Sequence, residues 1–170
     1  ESIYDKFISA LSTHVQQEYK QGSMFDGDAI VGPQVSEQQR DKVLKYIEIG
    51  KQEGARVVLG GEKNSEGELS KGYFIKPTIF ADVKPTMRIV KEEIFGPVVS
   101  VGKFSTDEQA IELANGTEYG LGAAIFTNNL TVAHTMAADI ESGMVWINSS
   151  HDSDVHIPFG GVKMSGVGRE

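Results

Sequence analysis

The chain has no cysteine among its 170 residues. That excludes a disulfide framework, a thiolate metal site and a cysteine nucleophile within these residues. No apolar run approaches the roughly 20 residues a helix needs to cross a bilayer, so no membrane span is expected. Bases are short relative to acids, 16 against 24, for a net charge of −8. The bases are scattered, often beside acids, which argues against a nucleic-acid surface. Residues 1–15 mix acids and polar groups throughout, so they do not read as a signal peptide. A cell-interior location is therefore expected, the cytoplasm first and the mitochondrial matrix second. No G-x-G-x-x-G, G-x-x-x-x-G-K-[ST] or G-x-S-x-G motif is found; Gly166-Val167-Gly168 lacks the third glycine. Sequons at Asn115, Asn129 and Asn148 read as chance matches.

What is present is a globular composition, 39% hydrophobic and 24% charged, of a length suited to one domain. Ile3, Phe7, Ala10, Leu11 and His14 fall on one helical face. Residues 21–33 are rich in Gly and Asp and read as a loop. Ser36 followed by Gln39 predicts a capping box, and Gly54 a left-handed stop to that helix. Strands are expected at 56–59, 97–104, 121–127 and 144–147, with an extended segment over 73–83. Thr106 caps a helix ending near Gly116. A further helix starts at Asn129 or Thr131, with Val132, Ala133, Met136, Ala137 and Ile140 as its stripe. Strand–helix–strand alternation with apolar strands predicts an α/β fold: an open, mostly parallel sheet covered by helices on both faces.

Two segments carry candidate chemistry. In Lys91-Glu92-Glu93-Ile94-Phe95-Gly96-Pro97 the adjacent carboxylates cannot face each other, so they make a poor acid/base pair. One carboxylate could accept hydrogen bonds from two neighbouring ribose hydroxyls, with an aromatic ring two residues on packing against a flat heterocycle. Gly96 would permit close backbone approach and Pro97 would fix entry to the strand. A solvated charge run ahead of a core strand explains the same residues. The second segment, 148–161, holds His151, Asp152, Asp154 and His156 within six residues. Their spacing matches no helical ligand pair, and so short a loop seldom wraps three ligands around one ion. No metal site is expected.

In order along the chain, several pieces resemble the aldehyde dehydrogenase superfamily. They are Gly32-Pro33-Gln34-Val35, Gly50-Lys51-Gln52-Glu53-Gly54-Ala55, Gly72-Tyr73-Phe74-Ile75-Lys76-Pro77-Thr78 and Lys91 to Pro97. Tyr119-Gly120-Leu121, Gly143-Met144-Val145-Trp146-Ile147-Asn148 and Pro158 to Glu170 follow. The resemblance is to the C-terminal half of the catalytic domain. It implies that residues 1–170 form a single partial catalytic domain with no complete dinucleotide-binding domain. Glu93 matches the glutamate that hydrogen-bonds the nicotinamide ribose, and Phe95 the ring that packs near the nicotinamide. Phe159 matches an aromatic residue of the aldehyde pocket. Ser153 stands in the tunnel-lining segment where many relatives carry an aromatic residue, which implies small or polar aldehydes.

The family's nucleophilic cysteine, general-base glutamate, oxyanion-hole asparagine and NAD(P) domain would lie upstream, and its oligomerisation tail downstream. No catalytic residue is therefore assigned in this chain. The complete protein is expected to oxidise aldehydes with NAD or NADP as a homo-oligomer, and the isolated chain to be silent. A non-enzymatic, self-associating domain derived from the same fold is the alternative. A metal-dependent hydrolase built on the His151–His156 cluster is a third.

Overall fold

A computed structural model describes residues 1–23 and 25–170. Residue 24, inside the loop expected over 21–33, lies outside the described residues. The chain separates into two compact units, Glu1–Lys103 and Phe104–Glu170.

The first unit holds α1 (Tyr4–Glu18), α2 (Glu37–Gln52), β1 (Arg56–Leu59), β2 (Thr78–Ala81), α3 (Arg88–Lys91) and β3 (Val98–Val101). The strands form one sheet with β2 in the middle, antiparallel to β1 and parallel to β3. All four residues of β2 are buried. Its side chains alternate between two cores, as strand geometry requires. Phe80 points into a cluster with Val43 and Ile47 of α2, Ile75, Met87, Ile89 and Ile94. Ala81 points into a second cluster with Tyr4 and Ile8 of α1. The two helices therefore cover opposite faces of the sheet. Burying a side chain of the size of Phe80 or Ile47 stabilises the fold by about 1.5–3 kcal/mol.

Helix α2 begins and ends as its residues dictate. The Ser36 hydroxyl accepts a hydrogen bond from the Gln39 backbone N–H at 3.1 Å. At the other end Ala55 N–H donates to Gly50 O and Gly54 N–H to Lys51 O, with Gly54 at φ +90°. That paired pattern is a Schellman stop, and it needs a residue that tolerates the left-handed region.

Helix α1 departs from expectation. Its buried residues are Tyr4 and Ile8, while Ile3 and Phe7 of the anticipated stripe are 68% and 49% exposed. The reason is Tyr4. Its hydroxyl accepts from Asp82 N–H at 2.6 Å and lies 3.2 Å from Val101 O, while Lys103 sits 4.4 Å above its ring. A tyrosine with a satisfied hydroxyl can enter a core edge that a hydropathy pattern reserves for Ile or Phe.

The second unit holds α4 (Asp107–Asn115), β4 (Tyr119–Gly120), β5 (Gly122–Ile125), α5 (Leu130–Asp139), β6 (Met144–Ile147) and β7 (Val162–Lys163). β5 and β6 pair in parallel across α5, a strand–helix–strand unit; β4 and β7 pair antiparallel. Thr106 and Asn129 cap α4 and α5 through their side chains. Of the expected α5 stripe only Ala133 is buried, at 2% exposure, while Val132, Met136, Ala137 and Ile140 are half-buried.

The α/β class with covering helices stands, and the pairing is more mixed than one mostly parallel sheet. Parallel partners need a crossover, which α3 and α5 supply; β1 and β2 are joined by a loop holding one short 3-10 helix (Gly67–Lys71) and pair antiparallel instead. Among the described residues, no helix is long and apolar enough to cross a membrane.

Candidate functional site

In the first unit, α3 delivers the chain into an extended turn over residues 92–97. The two glutamates at its start have opposite fates. Glu92 receives two parallel hydrogen bonds from the Arg88 guanidinium, both 2.7 Å, and a third from the Tyr46 hydroxyl at 2.7 Å. The Arg88 and Tyr46 bonds hold its carboxyl down to about 2. The same carboxylate pushes the Tyr46 phenol up. Arg88 also lies 5.5 Å over the Tyr46 ring. Glu93 is exposed, and no described residue forms a hydrogen bond or ion pair with its side chain. One acid is thus spent on structure, and the next is left with all its acceptor capacity.

Phe95 follows with φ +58° and is 72% exposed. A left-handed backbone at an aromatic residue costs about 1–3 kcal/mol and persists only where surroundings enforce it. Three contacts enforce it here. Ile94 is buried at 8% exposure in the α2 core. The Gln39 side-chain amide donates to Phe95 O at 2.9 Å. Gly96 lies so close to Val43 that an added Cβ would meet its methyl at 2.6 Å. Gly96 therefore serves close approach to a helix of its own fold. Pro97 O then accepts from Thr78 N–H at 2.8 Å, opening the β2–β3 ladder.

The capping box is correspondingly only half built. The Gln39 side chain, expected to turn back to Ser36, reaches across to Phe95 instead. The Ser36–Gln39 spacing marks Gln39 only as a capping residue, and local pattern singles out neither Tyr46 nor Arg88. The spacing 39, 43, 46 on one helical face was the available signal.

A larger cleft of about 560 Å³ in this unit is lined by Lys20, Gln21, Asn64, Glu66 and Lys76 among others. Its polar groups satisfy one another: Asn64 donates to Gln21 at 2.8 Å, and Lys76 pairs with Glu62 and Glu66 at 3.1 and 3.0 Å.

The second unit carries Ser153 and Phe159. The Asn148 amide clasps Thr127 in both directions at 2.9 Å, anchoring the start of the loop after β6. Trp146 Nε1 donates to Asp152 O at 2.6 Å, and the His151 ring stacks on Trp146 at 5.8 Å. Asp154 accepts from the His156 backbone N–H at 2.8 Å and lies 2.6 Å from its ring Nδ1. These contacts hold its carboxyl below the usual range. His151, Asp154 and His156 are thus engaged locally, and no described group of three His, Asp or Glu is placed to hold a metal ion. Ser153 is exposed, with no side-chain hydrogen bond to a described residue.

Phe159 is 41% exposed and exchanges two backbone hydrogen bonds with Glu170, at 2.8 and 2.9 Å. It borders a cleft of about 400 Å³ with Leu121, Gly161, Ser165 and Arg169. Arg169 pins the neighbouring backbone by donating to Gly143 O and Gly160 O. Lys163, inside the same glycine-rich run, is internal scaffolding. It donates to Asn115 O and Thr117 O and pairs with Glu141 at 2.6 Å.

Comparison with known proteins fits this arrangement. The model of the aldehyde dehydrogenase family matches residues 1–170. An aldehyde dehydrogenase-like protein of Schizosaccharomyces pombe is 53% identical over 170 residues, which are 100% of this chain and 34% of that protein. Aldehyde dehydrogenase [NAD(P)+] 1 of Saccharomyces cerevisiae is 48% identical over 172 residues, 99% of this chain and 34% of that protein. The crystal structure of betaine aldehyde dehydrogenase from Staphylococcus aureus in complex with NAD+ superposes with a TM-score of 0.95 at 41% identity. It covers 99% of this chain and 33% of that one. The chain spans about a third of the length of the curated relatives it matches. By the match along its whole length, the chain belongs to the aldehyde dehydrogenase family.

Proposed function

We propose that this chain is part of an NAD(P)-dependent aldehyde dehydrogenase that oxidises aldehydes to carboxylic acids. Family membership supports the reaction class. The observation that carries the reading is the pairing of an uncommitted Glu93 carboxylate with an exposed Phe95 ring on one enforced turn. The chemistry of these groups fits a dinucleotide. The carboxylate offers acceptors for two ribose hydroxyls, and the ring offers an apolar face for a flat heterocycle. Bound there, the dinucleotide supplies a hydride acceptor. Phe159 and Ser153 are assigned to the aldehyde pocket. The polar segment around Ser153 suits small or polar aldehydes.

With no cysteine, the 170 residues hold no thiolate to attack the aldehyde, and they are assigned no catalytic residue. They act as one partial catalytic domain without a complete dinucleotide-binding domain. The complete protein is proposed to be a homo-oligomer of the cytoplasm or mitochondrial matrix.

NADH or NADPH formation with short polar aldehydes tests this reading. The complete polypeptide should turn over and the isolated chain should not. Glu93→Gln in the complete polypeptide should weaken cofactor use about 10-fold or more, as loss of a charged acceptor does. A complete polypeptide without dinucleotide-dependent aldehyde oxidation would sink it. The alternative, a self-associating binding domain, draws on exposed apolar groups such as Ile3, Phe7 and Phe126. A monomeric chain at high concentration in sedimentation would remove it.

A further inference from the structure

We propose that Gln39 and Tyr46 of α2 are positioning residues, a helical template that sets the geometry of Glu93 and Phe95. The inference rests on the assignment of those two residues to the cofactor.

Gln39, Val43 and Tyr46 are spaced to share one face of α2. Each meets a different point of the turn: Gln39 the carbonyl of Phe95, Val43 the α-carbon of Gly96, Tyr46 the carboxylate of Glu92. The two residues left between these anchor points with exposed side chains are Glu93 and Phe95; Ile94 is turned into the core. The left-handed backbone at Phe95 is what such a template must maintain, because an unrestrained chain would leave that region. Gln39 holds the carbonyl on the far side of that strained residue. Tyr46, with Arg88, holds the acid on the near side.

Gln39→Glu separates this role from helix stability. A glutamate at this position completes the capping box with Ser36, so α2 keeps or gains stability. A carboxylate cannot donate to the Phe95 carbonyl, so the clamp is lost. Gln39→Lys keeps a donor of similar reach. In the complete polypeptide, Gln39→Glu should raise the KM for the dinucleotide about 5- to 10-fold, the equivalent of one hydrogen bond. kcat should stay within about twofold, as loss of uniform binding predicts. Tm should not fall, and Gln39→Lys should restore most of the KM.

A structural readout stands apart from activity. The Phe95 φ, from a crystal structure of the complete polypeptide, should leave the left-handed region in Gln39→Glu. It should remain there in Gln39→Lys. A Gln39→Glu variant with unchanged φ and unchanged KM would overturn the template. So would a KM change that follows a loss of Tm and is not rescued by Gln39→Lys. If the wild-type polypeptide binds no dinucleotide, the functional reading falls with the cofactor role. The Phe95 φ then still decides whether the template exists.

Discussion

The turn over residues 92–97 and the loop over residues 148–157 bear the assigned cofactor and substrate groups, and they are held in opposite ways. The turn is fastened by residues far along the chain: Gln39 is 56 positions from Phe95, and Tyr46 is 46 from Glu92. The loop is fastened largely by its own neighbours, Trp146 to Asp152 six positions away and Asp154 to His156 two away. Long-range fastening ties the turn to the α2 core, where Val43 and Ile47 are fully buried. Short-range fastening leaves the loop free to change without disturbing that core. The difference teaches a division of labour. On the proposed assignment, a cofactor common to many substrates would be met by an over-determined backbone, and a variable substrate by a locally supported loop.

The largest expected effect tests whether the core under the turn is the dominant support. Phe80→Ala should lose about 3–5 kcal/mol in chemical denaturation, since the emptied site is enclosed by two helices and a sheet. Val155→Ser in the loop, at a residue 98% exposed, should stay within about 0.5 kcal/mol. Comparable losses at the two positions would break the contrast. Next comes Gly96→Ala, which should cost about 1–3 kcal/mol by driving a methyl into Val43. Val43→Ala in the same molecule should recover part of that loss, and strict additivity in the double-mutant cycle would refute the contact.

Loss of the cap by Ser36→Ala should cost about 1 kcal/mol and loosen the end of α2 that carries Gln39. Hydrogen exchange at Phe95 and Gly96 should rise with it, and exchange in the 148–157 loop should not. The smallest effect is electrostatic. Glu92 should titrate near 2 in a carboxyl NMR experiment, below its ordinary 4.5. The folded value is the lower one, so this stabilisation is complete above about pH 4.5 and is lost as pH falls through about 2. Arg88→Met should move that midpoint upward; an unmoved midpoint would show that Arg88 is not the cause.

Much of the local structure was legible from residues close in sequence. The caps at Ser36, Thr106 and Asn129 and the glycine stop at Gly54 use contacts within a few positions. The strands at 56–59, 98–101 and 144–147 were marked by apolar runs. The buried face of α1 was misjudged because Tyr4 enters the core by satisfying its hydroxyl at Asp82 and Val101, nearly 80 and 100 positions away. The sheet was expected to be more uniformly parallel because strand direction depends on which strands meet, and periodicity does not carry that.

By itself the sequence determined the caps of α2, α4 and α5, the glycine stop of α2 and the apolar runs that become β1, β3 and β6. It also determined the family resemblance and the candidate quartet Glu93, Phe95, Ser153 and Phe159. The reason is that capping, turn chemistry and motif order are short-range properties of the chain. Only the tertiary structure decided which glutamate of the adjacent pair is spent on Arg88 and Tyr46 and which is free. It alone turned Gln39 from a cap into a clamp and held Phe95 in a backbone region it would otherwise leave. Those outcomes depend on side chains 46 and 56 positions apart meeting at 2.7 and 2.9 Å, and only packing brings such groups together.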